Sequence, residues 1–343
     1  MTKSRYKVAV IGGDGIGPEV TEEALKVVSA AGIDLETVVF ELGAKHYVET
    51  GEVLSDQTLT KLRSFDAILL GAIGPAIGSK EVPSGILERG LLLKLRFALD
   101  LYINLRPFSA TKSSLAAGNE LYVVRENTEG PYAGEGGQLR AGTDFEVATQ
   151  GSVNTYHGVE RCIRFAFELA ETTSRKHLTM VHKTNVLVFA GGLWQRVFEN
   201  IAEEFPNVQT SYCHVDAATI YLVNDPGRFD VIVTDNLFGD IITDLAGAVY
   251  GGIGLAASAN LNPAKTGPSL FEPVHGAAHD IAGTKRANPL GAISSAAMML
   301  KHLGEIKAAE RVTNSVRFVS DEMTESTKQL STTDIGDLVA ERL

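Results

Sequence analysis

Two aspartates four residues apart form the clearest chemical pattern in the sequence. Asp240 and Asp244 lie in the segment VTDNLFGDIITDLAG, and on a helix their carboxylates leave the same face about one turn apart. Adjacent anions repel unless a cation lies between them, and carboxylate oxygens are ligands that Mg²⁺ or Mn²⁺ prefers. Asp216 precedes them as a third acid. Solvated helix acids are the alternative, although the apolar neighbours Ile241 and Leu245 argue against a purely polar face.

A cationic group is formed by Arg96, Arg106 and Arg125, each set in otherwise apolar sequence (LKLRFAL, INLRPF and YVVREN). A guanidinium in such surroundings needs an anionic partner, and its planar fork binds a carboxylate at two points. Structural ion pairs would also explain each arginine by itself. Taken together, the three predict a substrate with more than one carboxylate.

Lys183 and Tyr132 are candidates for moving protons. Lys183 follows directly on the apolar run of LTMVHKTNV, and Tyr132 lies in the glycine-rich GPYAGEGG. A lysine at a strand end near a metal can act as a base, and a tyrosine hydroxyl can donate a proton. Each residue type is also common in purely structural roles.

Two glycine-rich segments differ in what they say about a nucleotide. The glycines of GGDGIGPEV follow GxGxG spacing and not the GxGxxG of a Rossmann fold, so a tight strand-to-helix turn explains them equally well. The segment HGAAHDIAGTKRANP, residues 275–289, has small residues that let a loop wrap closely around a flat ligand. In it, Asp280 could accept hydrogen bonds from ribose hydroxyls, and Asn288 could contact adenine or cap the next helix.

The elements that must position these residues alternate along the chain, which indicates an α/β architecture. The predicted strands are residues 6–11, 66–71, 121–124, 178–182 and 229–234. The predicted helices are residues 18–31, 153–171, 190–203, 238–250 and 289–303. The glycine-rich stretches 130–142 and 251–254 are the best candidates for an arm or for a crossing point between domains.

Composition narrows the class of protein. The chain has 343 residues, 44% of them hydrophobic, which is enough for one large or two medium domains. Its net charge of -11 and the absence of a long Lys or Arg block argue against nucleic acid as a partner. Its apolar runs are far short of the roughly 20 residues of a membrane helix. We expect no targeting segment, and Cys162 and Cys213 lack CxxC spacing, which favours the cytoplasm.

Seven segments, in chain order, resemble the β-decarboxylating dehydrogenases of the isocitrate/isopropylmalate dehydrogenase family: GGDGIGPEV, LRFALDLYINLRP, VVREN, HKTNV, VDAATIYLV, DNLFGDIITDLAG and FEPVHGAAHDIAG. The similarity covers essentially the whole chain. It implies that family's two-domain α/β fold, which is not a Rossmann fold. The first, cofactor-binding domain would be discontinuous, residues 1–102 and 254–343. The second, for dimerisation and metal binding, would be residues 103–253 with an arm near 130–152.

The resemblance also implies an activity, the NAD-dependent oxidative decarboxylation of 3-isopropylmalate to 4-methyl-2-oxopentanoate and CO₂ in leucine biosynthesis. The implied substrate-binding residues are Arg96, Arg106, Arg125 and Asp216, the metal ligands for Mg²⁺ or Mn²⁺ are Asp216, Asp240 and Asp244, and the catalytic residues are the base Lys183 and the proton donor Tyr132. The implied cofactor-binding residues are His275, Gly276, Ala277, Ala278, Asp280, Ile281 and Asn288. Lys183 and Asp216 would act in the neighbouring subunit's site, so that each active site of a homodimer needs both chains.

Residues before Arg96 bear on the substrate side chain. Glu88, Leu91 and Leu92 offer an apolar wall suited to an isopropyl group, with Glu88 also near the nicotinamide in the family. The stretch LERGLLLKLR is one residue longer before Arg96 than the commoner family pattern, so whether Leu91 or Leu92 makes the contact stays open. Arg89 keeps tartrate or malate, homoisocitrate and isocitrate open as substrates.

The cofactor loop resembles that of NAD-using members, because Asp280 and Ile281 stand where NADP-using members carry Lys and Tyr. His279 departs from the usual proline and Ala277 from the common serine. Outside this family, a magnesium-dependent phosphoryl-transfer enzyme could use the same aspartates and arginines, although no Walker motif is present. A non-catalytic binding protein of the same fold is a further alternative.

Overall fold

The computed structural model describes residues 5–325 and 330–343 of the chain. Its strands are β1 (Tyr6–Gly13), β2 (Leu35–Val39), β3 (Ala67–Ala72), β4 (Ile103–Ser109), β5 (Glu120–Glu126), β6 (Gly136–Leu139), β7 (Val147–Gln150), β8 (His177–His182), β9 (Gln209–His214), β10 (Val231–Thr234), β11 (Ala257–Leu261) and β12 (Ser269–Pro273). Its helices are α1 (Gly17–Ala30), α2 (Ala44–Thr50), α3 (Asp56–Leu62), α4 (Lys94–Ala98), α5 (Tyr156–Thr172), α6 (Val188–Ala202), α7 (Val215–Asn224), α8 (Asn236–Tyr250), α9 (Leu290–Leu303), α10 (Ile306–Glu325) and α11 (Thr332–Glu341). A π turn, Glu88–Leu93, leads directly into α4.

Every strand and helix predicted from the sequence is confirmed, with ends shifted by a few residues. The largest shift is at α5, because the Thr155 side chain accepts a hydrogen bond from the Gly158 N–H and thereby caps the helix one residue before Tyr156. Helices α7, α10 and α11 were not predicted. The start of α11 is nevertheless marked by a reciprocal capping box between Ser331 and Asp334.

The chain divides into two compact units, each described here by itself. Unit 1 contains the chain up to Leu101, Arg106–Asn119 and the part from Gly247 onward, and unit 2 contains Tyr102–Leu105 and Glu120–Ala246. The predicted division at 102/103 and 253/254 differs, since residues 106–119 and 247–253 belong to unit 1. The chain passes from one unit to the other within β4 and within α8, where no change of composition marks the boundary.

Unit 1 contains the strand order β2-β1-β3-β12-β11, parallel except for the antiparallel pair β11 and β12. Its central strands are buried apolar runs, as expected for strands covered on both faces. Helix α9 packs on β12, β11 and β3, and α1 packs on β3 and α9. Helix α1 carries a proline in its first turn, where the missing N–H costs nothing.

Unit 2 contains the fully parallel order β5-β10-β8-β9, with α5 packed on β5, β10 and β8. Because the carboxyl ends of parallel strands meet at one edge, residues at the ends of β5, β8, β9 and β10 collect there. A separate antiparallel hairpin, β6 with β7, has exposed residues throughout and lies in the region predicted as an arm. In the described parts of the chain, no helix is long and apolar enough to cross a membrane.

Gly71 in β3 is a position where backbone segments approach closely. A Cβ atom there would lie 2.4 Å from the Gly12 carbonyl oxygen and 2.6 Å from that of Gly17, which is closer than real Cβ contacts. We therefore expect Gly71→Ala to lower stability by about 1–3 kcal/mol or more through overpacking. The control is Gly267→Ala in the same unit, where a Cβ would meet nothing within 4 Å. Urea unfolding midpoints measure both effects, and equal midpoints for Gly71→Ala and wild type would contradict the expectation.

Candidate active site

The carboxyl edge of the unit 2 sheet gathers most of the predicted chemistry. Arg125 is the penultimate residue of β5, Lys183 directly follows β8, and Asp216 lies two residues after β9 in the first turn of α7. Asp240 and Asp244 lie on α8, which begins shortly after β10. The parallel strands thus supply these side chains from one edge, as is common for ligand sites in α/β proteins.

Arg125 is held by the first turns of α8. Its side chain is 1% exposed, and its Nε and Nη2 donate to the Asn236 Oδ1 at 3.1 and 2.7 Å, while Nε also donates to the Asn236 carbonyl oxygen at 2.7 Å. Its Nη1 donates to the Asp240 Oδ1 at 2.7 Å. The sequence reasoning did not single out Asn236, although an amide following a strand is a recognisable candidate.

Tyr132 joins this group. Its hydroxyl donates to the Asp240 Oδ2 at 3.0 Å, and the Arg125 Cζ lies 5.3 Å from the centroid of its ring. Arg125, Tyr132 and Asp240, predicted for three different roles, are therefore brought together in one unit. The Asp240 side chain remains 42% exposed, and Asp244 is exposed one turn further along α8.

Lys183 and Asp216 form a second pair. The Lys183 Nζ donates to the Asp216 Oδ1 at 2.6 Å, and this hydrogen bond is the main reason why the pKa of Asp216 lies below its usual value. Asp216 is thus held as a carboxylate, the form in which it can bind a cation. The structure brings the two residues together although they are separated by a full strand and helix.

The hydroxyl of Tyr212, which the sequence reasoning missed, contacts both neighbours of Lys183. It donates to the His182 carbonyl oxygen at 3.2 Å and accepts from the Thr184 N–H at 3.2 Å. The His214 Nδ1 lies 2.7 Å from the same hydroxyl. The backbone on either side of Lys183 is therefore fixed by one side chain of the adjacent strand.

Beneath this surface lies a buried acid–imidazole pair. The His182 Nε2 is 3.4 Å from the Asp235 Oδ2, and the His182 ring packs between Trp194 and Phe238. Burial lowers the pKa of His182 to about 4 and raises that of Asp235 to about 6, because each charged form is disfavoured away from water. Asp235 also accepts the Phe238 N–H at 2.8 Å and so caps α8.

A cation would find oxygen ligands on α8. Asp240 and Asp244 are on one helix face, and their exposed carboxylates suit Mg²⁺ or Mn²⁺. Across the residues that the structure describes, no group of three His, Cys, Asp or Glu side chains within one chain could hold a metal. A ligand set of Asp216, Asp240 and Asp244 drawn from two chains stays a prediction.

Unit 1 holds the other predicted substrate residues. The Arg96 Nη2 lies 3.6 Å from the Glu272 Oε1, which also accepts from the Asn260 Nδ2 at 2.7 Å. Arg106 is buried in β4. Glu272 is a partner that the sequence reasoning did not name.

The extra residue before Arg96 is absorbed by the π turn Glu88–Leu93, since a π turn takes in one more residue than an α turn. Leu91 is fully buried in the core of unit 1. Leu92 is only partly buried, and Glu88 is exposed. Of the two leucines left open by the sequence, Leu92 is thus the one that retains an accessible surface.

The predicted cofactor loop lies between β12 and α9. Ala277 is buried and its carbonyl oxygen accepts the Ile16 N–H at 2.8 Å, whereas Asp280 is exposed. The Asn288 Oδ1 accepts the Leu290 N–H at 3.0 Å, so Asn288 caps the start of α9. Burial also lowers the pKa of His275. The loop therefore offers a carboxylate to solvent while its first residues are anchored.

The parallel strand edge, the paired aspartates and the buried arginine are features of an α/β enzyme that binds an acidic ligand. Residues 7–340 match the family model described as isocitrate/isopropylmalate dehydrogenase, and the chain belongs to this family. It is 59% identical over 340 residues to the 3-isopropylmalate dehydrogenase of Corynebacterium efficiens, covering 97% of this chain and 98% of that protein. The predicted family membership is confirmed.

Two further comparisons agree. The chain is 57% identical over 342 residues to the 3-isopropylmalate dehydrogenase of Corynebacterium glutamicum, covering 98% of this chain and 99% of that protein. The crystal structure of isocitrate dehydrogenase from Methylococcus capsulatus has a TM-score of 0.88 at 37% identity, covering 98% of this chain and 99% of that one. The predicted isocitrate/isopropylmalate dehydrogenase-like α/β fold is thus confirmed.

Glu126, next to Arg125, gives the site a measurable pH dependence. It is buried, it accepts hydrogen bonds from the N–H groups of Thr128 and Glu129, and burial raises its pKa from 4.5 to about 7. Its protonated form therefore contributes stability that is fully present below pH 4.5 and is lost as the pH rises through about 7.

We expect the free energy of unfolding of Glu126→Gln, relative to wild type, to rise by about 3 kcal/mol between pH 4.5 and a pH above 7. A constant offset from the altered hydrogen bonds does not affect this slope. Unfolding by urea at a series of pH values measures it, with the exposed Glu168→Gln on α5 as control. Parallel pH curves for Glu126→Gln and wild type would refute the assignment.

Proposed function

We propose that this protein catalyses the NAD-dependent oxidative decarboxylation of 3-isopropylmalate to 4-methyl-2-oxopentanoate and CO₂, a step of leucine biosynthesis. The observation that carries the proposal is the 57–59% identity, over nearly the whole chain, to proteins named 3-isopropylmalate dehydrogenase. The contacts among Arg125, Tyr132 and Asp240 support it, because they combine a carboxylate-binding cation, a proton donor and a metal ligand.

The cofactors of the proposal are NAD and a divalent cation, Mg²⁺ or Mn²⁺. When bound, they would accept the hydride and polarise the 2-hydroxyl group. Asp240 and Asp244 would hold the cation together with Asp216 of a second subunit. The exposed Asp280 would accept from the ribose hydroxyls of NAD, and its negative charge would repel the 2′-phosphate of NADP.

The chain's own groups would perform the remaining chemistry. Arg96, Arg106 and Arg125 would bind the two carboxylates of the substrate and orient it. Lys183 would take the proton of the 2-hydroxyl as hydride leaves C2. Loss of CO₂ from the resulting β-keto acid leaves an enol, and Tyr132 would help to deliver the proton to C3.

The side chain at C3 selects the substrate. We assign its apolar contact to Leu92, because Leu91 is buried in the core of unit 1 and Leu92 keeps an accessible surface. Glu88 is exposed one turn earlier and would lie toward the nicotinamide. An isopropyl group suits an aliphatic wall, whereas the third carboxylate of isocitrate would lose its hydration against it.

A homodimer with shared sites is part of the proposal. Several apolar side chains of unit 2 are exposed on its helices, among them Phe189 at 92% in α6, Ile220 in α7 and Ile241 in α8. Exposed apolar side chains of this kind are typical of protein interfaces. We also propose a cytoplasmic location, in keeping with the two free cysteines, Cys162 and Cys213.

The direct test is NADH formation by the purified protein with Mn²⁺ and each of four diacids: 3-isopropylmalate, homoisocitrate, isocitrate and tartrate. We expect the highest kcat/KM with 3-isopropylmalate and NAD, and a lower value with NADP. A higher kcat/KM for another diacid would move the assignment to that substrate. A protein that reduces no cofactor with any of them would refute dehydrogenase activity, and release of phosphate from phosphate esters would then favour the phosphoryl-transfer alternative.

Shared sites predict complementation between two inactive variants. Lys183→Ala and Arg125→Ala should each lose most activity, since loss of a general base typically costs about 10²- to 10⁴-fold. In a hybrid dimer one site carries both lesions and the other carries neither. Random re-association should give about half hybrids and hence roughly a quarter of wild-type activity.

The control for this experiment is each variant unfolded and refolded alone. Because Arg125 is buried against α8, Asp240→Asn is a second variant in the same group for the case that Arg125→Ala does not refold. Verified hybrid dimers that remain as inactive as the controls would show that Lys183 and Arg125 serve one subunit's site.

A further inference from the structure

The cofactor loop contains a side chain that no predicted role accounts for. His279 stands where the family usually has proline, and its Nε2 lies 2.7 Å from the Gly74 carbonyl oxygen, in the segment just after β3. A carbonyl oxygen can only accept, so the Nε2–H of His279 is the donor. His279 is exposed, and the contact therefore does not result from burial in the core.

This contact completes a triangle of three loops within unit 1. The first loop, residues 14–16 between β1 and α1, binds the second through the buried Asp14, whose carboxylate accepts the Gly74 N–H at 3.0 Å. It binds the cofactor loop through the Ile16 N–H, which donates to the Ala277 carbonyl oxygen at 2.8 Å. His279 joins the second loop to the cofactor loop.

The triangle explains why the first loop is rich in glycine. Gly15 has a φ of +57°, and a Cβ atom there would lie 1.9 Å from the Ala277 carbonyl oxygen. The segment GGDGIGP, whose spacing does not fit phosphate binding, therefore supports the cofactor loop from below. The close approach leaves the Ile16 N–H free to donate to that loop.

The anchored residues enclose a disfavoured backbone conformation. Ala278 has a φ of +39°, a region that residues with a Cβ rarely adopt. Its neighbours Ala277 and His279 are both hydrogen-bonded to other loops, and the Ile281 N–H closes the turn on the Ala278 carbonyl oxygen at 3.1 Å. The carboxylate of Asp280 directly follows this turn, so its direction depends on the anchors.

We propose that His279 is a positioning residue for NAD, which holds the turn 277–281 in the conformation that presents Asp280 to the ribose. The proposal rests on the proposed function, since that assigns NAD to this loop. A ligand that binds one of several loop conformations has its affinity reduced by the fraction of molecules in the competent one. The hydrogen bond from His279 to Gly74 raises that fraction.

The test compares His279→Ala, which removes the donor, with His279→Gln, whose amide can donate to the same carbonyl oxygen. The control is His157→Ala, an exposed histidine on α5 in unit 2. For His279→Ala we expect the Kd of NAD, titrated without diacid or metal, to rise about two- to tenfold, the effect of one hydrogen bond. His279→Gln should stay near the wild-type Kd, and His157→Ala should match it.

Two further measurements separate positioning from a general loss of structure. Amide hydrogen exchange of residues 275–282 in the ligand-free protein should be faster in His279→Ala, with the thermal unfolding midpoint unchanged. In steady-state kinetics the KM for NAD should rise by the same factor as the Kd, while kcat and the KM for the diacid stay constant.

Each remaining outcome overturns the inference. If wild type binds NAD and His279→Ala binds it equally well, His279 does not position the loop, and the proposed function stands. If His279→Ala and His279→Gln weaken binding equally, the hydrogen bond is not the cause. If wild type binds no NAD, the proposed cofactor fails and this inference fails with it.

Discussion

A buried guanidinium must find an acceptor for each of its N–H groups, and the way Arg125 meets this requirement organises the candidate active site. Its donors end on Asn236 and Asp240, in the first turns of α8. Gly239 is part of the same constraint, because a Cβ there would lie 2.4 Å from the Arg125 Cγ. The orientation of α8, and with it the face that carries Asp240 and Asp244, depends on this one side chain of β5. Tyr132 reaches the group through the same carboxylate of Asp240.

The sequence predicted those parts of the site that follow from local pattern. The four-residue spacing of Asp240 and Asp244 indicates one helix face, and the apolar run before Lys183 indicates a strand that ends at a functional edge. Motif order along the chain identified the family, which the comparisons confirm. Such features survive in a one-dimensional reading because each depends on neighbours within a few residues.

What escaped prediction depends on register between distant strands. Tyr212 reaches the backbone around Lys183 because β8 and β9 pair with His182 opposite His214, a register that no local pattern encodes. Asn236 and Asp235 are ordinary polar residues until β10 sets them beside Arg125 and His182. The unit boundaries inside β4 and α8 were likewise hidden, because the chain changes unit without interrupting either element.

The π turn before α4 bears on how enzymes of this family can diverge. One residue added to an ordinary helix rotates all that precedes it by about 100°. Here the widened turn Glu88–Leu93 takes up the added residue, so Leu95 stays in the core and Arg96 stays opposite Glu272. The helix thereby tolerates a change of length that alters which leucine faces outward. A single codon gained or lost at this point re-tailors the wall of a pocket without touching any residue that performs chemistry, and substrate range can evolve by insertion as well as by substitution.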